Sequence, residues 1–539
     1  MSGLGKGITA ASTGLLLKAR GVRVTNLKID MYLNVDAGTI RPAEHGEVFV
    51  LQDGMECDED LGHYERFLNE SLRKENYMTT GQVYKTVIDK ERSFGYNGED
   101  VEAIPHVTDE IIERIIRAGT VNKAEVVIIE LGGTVGEYQN GLFFEASRIL
   151  KLKKPKDVVQ VHVSYLPVIR SIGELKSKPV QQSVRVLNSM GIQPDLLVAR
   201  SEVLIDQRRR ERLALFCNMQ NEDIITNPDL ESIYDVPLFL EKQNYSARLL
   251  KKLGLRGKKI NLNLWKKFVK NLEKRKGEVK IGMVGKYFAT GNFVLKDAYL
   301  CVIEAIRQAS AAAGVKVKVE CISAEDLEKK EVKDVLAGFQ GIIVPQGWGS
   351  RGVEGKITAV KYARENKIPY LGLCFGMQMA VIEFARNVLG MNGANSEEVD
   401  PKTKYPVIHV MPDQREYLEK HQYGGTIRLG DWPCSIKRGT KLAEIYSEDR
   451  HASLAMTIEE RHRHRYEFNG EFREKFEKAG MVISGTSPDG KLVEAIELKN
   501  HPFFVATQFH PEYKSRPLDP HPIFVEFLKA VARLQKVSL

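Results

Sequence analysis

Residues 370–378 read YLGLCFGMQ, and MQMAVIEFARNV (377–388) continues from them. An apolar strand runs into Gly-x-Cys-x-Gly and then into a helix-period pattern. Gly372 and Gly376 permit a sharp strand-to-helix turn. This is a nucleophile elbow with cysteine in the serine position. The turn sets Cys374 near a helix N-terminus, where local positive potential favours thiolate. A thiol nucleophile needs a base, and the base needs an orienting carboxylate. QFHPE (508–512) supplies His510 and Glu512 at the end of another apolar strand, two residues apart and so able to share a face. Alone, the cysteine reads as a small buried hydrophobe and the histidine as a core or surface residue.

Working outward, VKIGMVGKY (279–287), VKVKVECIS (315–323), GIIVPQGWG (341–349) and HPFFVATQFHPE (501–512) form a series of apolar β-branched runs. An earlier series comprises VRVTNLKID (22–30), AEVVIIELGG (124–133), VVQVHVSYL (158–166) and PDLLVARS (194–201), with helical stretches such as TDEIIERIIRA (108–118) between. This alternation predicts α/β architecture with two doubly wound parallel-sheet domains. The expected division is 1–255, a basic helical linker 256–278, and 279–539.

The chain has 539 residues, 43% hydrophobic and 28% charged, with net charge +8. No apolar run approaches the ~18 residues of a membrane helix and no signal-peptide pattern opens the chain, which predicts a cytoplasmic protein with no membrane partner. Six scattered cysteines without a CxxC pair argue against structural zinc. RRRER (208–212) and KKLGLRGKK (251–259) read as solvated helix faces or as surfaces for small anions; nucleic acid is not expected.

The chain begins MSGLGKGITAAS. Glycines flanking one lysine can cradle phosphate through N–H groups and a point charge. The strict GxxxxGK[ST] pattern is not met, and a flexible turn before a helix is the competing reading. CDEDLGHYERF (57–67) and VVIIELGGTVGE (126–137) carry Asp60 and Glu130. Either could ligate Mg²⁺ beside a phosphate loop, or be a helix cap (Asp60) or a strand-end charge (Glu130).

The elbow and His-Pro-Glu motif resemble class I glutamine amidotransferases over roughly 280–539. That likeness implies Cys374 as nucleophile, His510 as base and Glu512 as its orienter. It implies glutamine binding by Gly347, Phe375, Gly376, Gln378, Glu398 and Arg465. DAGTIRPAEHGEVFVLQDG (36–54), DLGHYERF, ELGGTVGE, KSKPVQQSV (176–184), RLALFCN (212–218) and ERHRHRYEFN (460–469) extend the resemblance to the CTP synthase family across nearly the whole chain. The family couples an amidoligase to the glutaminase. ATP phosphorylates the 4-oxygen of UTP, and ammonia from glutamine passes through an internal tunnel and displaces phosphate.

The resemblance implies ATP binding by Gly3, Leu4, Gly5, Lys6, Gly7, Ile8, Asp60 and Asp229, and Mg²⁺ on Asp60 and Glu130. It implies UTP or CTP binding by Ser2, Glu137, Lys176, Lys178, Gln181 and Arg212, with Glu145 near the CTP pyrimidine. His45 and His106 are candidates for the ammonia path, or are structural. RGVEG (351–355) matches the lid tied to GTP activation. A homotetramer, and filaments, are implied; a catalytically weak, filament-forming relative is the alternative reading. Departures are Gln346 where the oxyanion loop usually has glycine, Arg212 for lysine, Gln139 for an acid, and Leu300 for lysine or serine. Family members also carry a strand ahead of the glycine loop, and its absence here should leave ladder groups unpaired on neighbouring strands.

Overall fold

The computed structural model describes residues 3–169, 171, 173–290, 293–294, 296–447 and 457–535. Ser2 lies outside them. The chain forms two compact units, Met1–Asp36 with His63–Val269, and Ala37–Gly62 with Lys270–Leu539. The segment 37–62, expected in the N-terminal domain, thus groups with the second unit. No helix among the described residues is long and apolar enough to cross a membrane.

Besides a short antiparallel pair, Val168–Ile169 with Glu174–Leu175, the first unit has the strands β1 (Val24–Asp30), β2 (Tyr77–Thr79), β3 (Val126–Leu131), β4 (Val161–Tyr165), β5 (Leu196–Ser201) and β6 (Ile224–Pro228). β1 to β6 form two all-parallel three-stranded sheets, ordered β2-β1-β3 and β6-β5-β4, instead of one continuous sheet. Among the described residues β3 pairs only with β1, and β4 only with β5. Both line a cavity of about 1150 Å³ that Ile29, Ile115 and Phe143 also reach. Ile129 on β3 is accordingly 36% exposed, unusual for the centre of an apolar strand.

The glycine loop leads into α1 (Lys6–Lys18), and α2 (Thr108–Val121), α3 (Lys178–Ser189) and α4 (Gln207–Phe216) follow. The stretch read as a linker holds α5 (Asn263–Lys274), whose apolar face is docked on the first unit. Trp265 is buried against Phe67, Tyr234 and Phe268, and its indole N–H donates to Tyr234 O at 2.8 Å. The weak periodicity of the sequence hid that face because its basic residues dominate the composition.

The second unit has one nine-stranded sheet. Its strands are β7 (Lys276–Gly285), β8 (Val315–Ser323), β9 (Gly341–Val344), β10 (Tyr370–Leu373), β11 (Arg428–Ile436), β12 (Thr457–His464), β13 (Met481–Thr486), β14 (Val493–Leu498) and β15 (Phe504–Thr507). The order is β8-β7-β9-β10-β15-β14-β13-β11-β12. Pairing is parallel from β8 to β15 and antiparallel beyond. Alternate residues feed two cores: Ile342, Val344 and Tyr370 face α7 (Val353–Glu365) and α8 (Phe375–Asn387). Ile343, Leu371 and Leu373 face α6 (Leu300–Ala313) and α9 (Pro522–Leu534). Both faces are covered, which is why these strands read as unbroken apolar runs.

Candidate active site

The elbow forms where β10 meets α8. Cys374 sits at φ 51°, ψ −100°, a conformation unusual for a non-glycine residue. The turn is possible because Gly376 has no side chain: a Cβ there would stand 1.9 Å from Val344 O. The Cys374 N–H donates to Thr507 O on β15 at 2.7 Å, so the sheet itself holds the elbow.

His510 follows β15 directly. Its Nδ1 pairs with Glu512 Oε1 at 2.7 Å, and both side chains are buried. Burial alone would lower the imidazole pKa, but the neighbouring Glu512 carboxylate and Cys374 outweigh it and raise it to about 10. With Nδ1 committed to Glu512, Nε2 is the ring nitrogen left for the thiol proton. Gln508 Nε2 donates to Cys374 Sγ at 3.5 Å, a contact the sequence reading missed although Gln508 stands in the same QFHPE run.

A narrow cavity beside the thiol is lined by Gly347, Phe375, Gln378, Glu398 and Arg465, together with Trp348. These five are among the six residues whose sequence match implied glutamine binding; the sixth, Gly376, is not part of the lining. The cavity measures about 10 Å³, room for about one water, so a bound amino acid requires the lining to open. Glu398 accepts from Gly349 N–H at 2.7 Å. Burial raises its pKa, opposed by that hydrogen bond and by Lys286 and Arg465. Arg465 Nη2 donates to Thr426 Oγ1 at 2.9 Å, while its Nη1 and Gln378 Oε1 are buried with no hydrogen-bond partner. An acid, a guanidinium and an amide with unsatisfied atoms around one void match a zwitterionic, amide-bearing ligand.

Gln346 does not strain its loop. Its φ is negative, and its Nε2 donates to Glu47 Oε1 at 2.6 Å. Glu47 also accepts from Cys301 N–H at 2.6 Å; burial pushes its pKa up to about 8. Glu47 belongs to the segment 37–62, which braces the site at two further points. Glu56 pairs with Arg463 at 2.8 Å, and the Arg463 carbonyl faces Cys374 Sγ at 3.7 Å. Tyr513, stacked on His510, donates to Val48 O at 3.0 Å. Position in the chain gave no hint of this role. His45, of the same segment, pairs with Asp58 at 3.1 Å. The Asp60 N–H donates to Asp58 Oδ1, so Asp58 is the acid holding that helix start.

In the first unit, α1 begins directly at the glycine loop. Gly5 caps it in the left-handed region, φ 91°. No acidic side chain stands in the first turn of this 13-residue helix, which leaves its positive end suited to an anion. Arg200 carries the loop from below: it donates to Leu4 O at 3.2 Å and to Asn227 O at 2.6 Å, and pairs with Asp229 at 2.8 Å. Sequence reading named Asp229 but not the arginine that ties it to the loop. Glu130 is buried on β3, 3.3 Å from Lys28 Nζ, and accepts from Tyr64 OH. It is therefore no strand-end surface charge.

Lys178 and Arg212 both lie over the Phe216 ring, at 5.6 and 5.7 Å. Lys176 pairs with Glu174 at 2.7 Å, and Gln181 is buried with Oε1 unpartnered. Hydrogen bonds from Thr134 hold the Glu137 carboxyl below its usual range, and Gln139 contributes a further bond at 3.4 Å. Glu145 pairs with Arg148 at 2.6 Å, and His106 packs edge-on against Tyr96. Among the described residues no group of three or more His, Cys, Asp or Glu side chains forms a metal cage.

Residues 1–255 match the family described as "CTP synthase N-terminus", and 294–530 match "Glutamine amidotransferase class-I". The chain belongs to the CTP synthase family. A CTP synthase of Caldanaerobacter subterraneus subsp. tengcongensis is 50% identical over 99% of this chain and 97% of its own length. Those of Carboxydothermus hydrogenoformans (51%, covering 100% and 98%) and Bacillus subtilis (48%, 98% and 96%) are similar at comparable coverage. CTP synthases are glutamine-hydrolysing C–N ligases of pyrimidine nucleotide synthesis, and ATP, UTP and glutamine are the family's substrates.

Proposed function

We propose that this chain aminates UTP to CTP with ammonia made at Cys374. The observation that carries the reading is the buried His510–Glu512 pair beside a cysteine held at positive φ. The Cys374 thiolate attacks the side-chain amide carbon of glutamine, and His510 gives its proton to the departing ammonia. Water then cleaves the thioester, releasing glutamate and restoring the thiol. Glu398 and Arg465 hold the amino and carboxylate groups of glutamine, with Gly347, Phe375, Gly376 and Gln378 completing the pocket.

In the first unit, Gly3–Ile8 with Lys6 receive ATP phosphates, helped by Asp229 through Arg200. The γ-phosphoryl group passes to the 4-oxygen of UTP, and ammonia displaces inorganic phosphate to give CTP. Lys176, Lys178, Gln181 and Arg212 hold the pyrimidine nucleotide, and Glu137 meets CTP. Asp60 and Glu130 are hard oxygen donors of the kind Mg²⁺ uses together with phosphates, which explains why no all-protein cage is needed. When bound, the ion offsets phosphate charge. GTP activation through 351–355, homotetramer formation, filaments and a cytoplasmic location complete the reading.

The test is ultraviolet-monitored UTP-to-CTP conversion with glutamine and, separately, with ammonium. Turnover with both supports the reading; no CTP from either would overturn it.

A further inference from the structure

The loop Pro345–Gly349 leaves β9 and passes the thiol. Two lysines hold its carbonyls. Lys356, on α7, donates from Nζ to Pro345 O at 2.7 Å and to Gln346 O at 3.3 Å. Lys286, at the end of β7, donates to Trp348 O at 2.9 Å and to Gly349 O. Lys356 is fully buried, forms no ion pair among the described residues, and lies over the Phe375 ring at 5.2 Å. Burial pushes its pKa well below the ordinary lysine value. Burying an amine without a counter-charge is costly, and a methionine of similar length would fill the space without that cost. The interaction kept in exchange is the pair of carbonyl contacts.

Peptide planarity gives those contacts a direction. In a trans peptide the C=O of one residue points opposite to the N–H of the next. Holding Gln346 O toward Lys356 therefore turns the Gly347 N–H to the other side of the loop. Gly347 and Cys374 line the same narrow cavity.

We propose that Lys356 is a positioning residue for acyl transfer at Cys374: by holding the Pro345 and Gln346 carbonyls it aims the Gly347 N–H at the oxyanion of the tetrahedral intermediate. The inference rests on the glutaminase reading above. Lys286 is the poorer probe, because its charge is also felt by Glu398 in the substrate cavity.

The test compares Lys356→Met and Lys356→Gln with the native full-length chain. Loss of a well-aimed oxyanion donor costs roughly 10²–10³-fold in kcat, and misaiming one should cost about 10- to 100-fold. Lys356→Met is expected to lower kcat for glutamine hydrolysis by that amount, with KM within about twofold. Lys356→Gln, which still carries an amide donor, should recover part of the loss. Alkylation of Cys374 by iodoacetamide develops no oxyanion, so its rate should not change. Ammonia-driven CTP formation, at the other centre, should also persist.

A kcat within about threefold of native in Lys356→Met would overturn the inference. So would alkylation slowing in parallel with hydrolysis, or a loss confined to KM. A native chain that hydrolyses no glutamine would instead overturn the functional reading, before either variant is compared.

Discussion

The two proposed centres are built in opposite ways. Around Cys374 the chain completes its own machinery: imidazole, carboxylate, elbow and loop are buried and bonded to one another, and the substrate cavity is nearly closed. Around Lys6 the chain offers a helix N-terminus and a glycine backbone beside a cavity of about 1150 Å³. Acyl transfer needs a preorganised nucleophile and base, and in the proposed reaction the protein supplies every reacting group but the amide and the hydrolytic water. Phosphoryl transfer needs little covalent chemistry from the protein, so its centre is mostly positioning groups for charge brought by the ligands.

That contrast breaks most sharply at the thiol. Cys374→Ala should reduce glutamine-driven CTP formation by at least about 10⁴-fold while ammonia-driven formation continues. Equal loss of both in the paired assay would mean that the centres are not chemically separable. Lys6→Ala should lower both activities together, by about 10²-fold, because it acts where ammonia is consumed; preserved ammonia-driven turnover would remove Lys6 from the phosphate site.

Glu512→Gln sharpens the comparison through pH. The His510 pKa is raised above its unfolded value of about 6.5 to about 10, so the stabilisation from its charge is fully present below about pH 6.5 and disappears as pH rises through about 10. The variant should lower the imidazole pKa, and the native-minus-variant stability difference should shrink as pH climbs from 7 to 10 in denaturant titrations. A difference constant over that range would mean Glu512 does not set the imidazole charge.

The smallest effect is expected at Gln346→Gly. The native backbone there needs no glycine, so glutaminase kcat should stay within about threefold. Removing the bond to Glu47 should cost about 1–3 kcal/mol of stability. A large gain in kcat would mark Gln346 as an impediment to the oxyanion loop.

The elbow was legible in the sequence because strand, Gly-x-Cys-x-Gly and helix are contiguous, and His510 and Glu512 lie in one short run. The alternating strands were legible because both faces of the second sheet are covered, which makes their residues uniformly apolar. α5 was not: its docked face is only a few residues, Trp265 and Phe268 among them, inside a basic run. Nor was Arg200, a lone arginine on β5 whose partners, Leu4, Asn227 and Asp229, are distant or unremarkable in sequence.

By itself, then, the amino-acid order determined the α/β class, the strand-to-helix turn at Cys374 and the His510–Glu512 pairing, since each depends on short-range spacing. Tertiary structure alone decided that 37–62 braces the glutaminase and that Gln346 is accommodated by Glu47. It also decided that Lys356 and Lys286 hold the carbonyls of the Pro345–Gly349 loop. Those contacts join residues up to several hundred positions apart, and a buried lysine or glutamate looks like a surface charge until the fold removes water from around it.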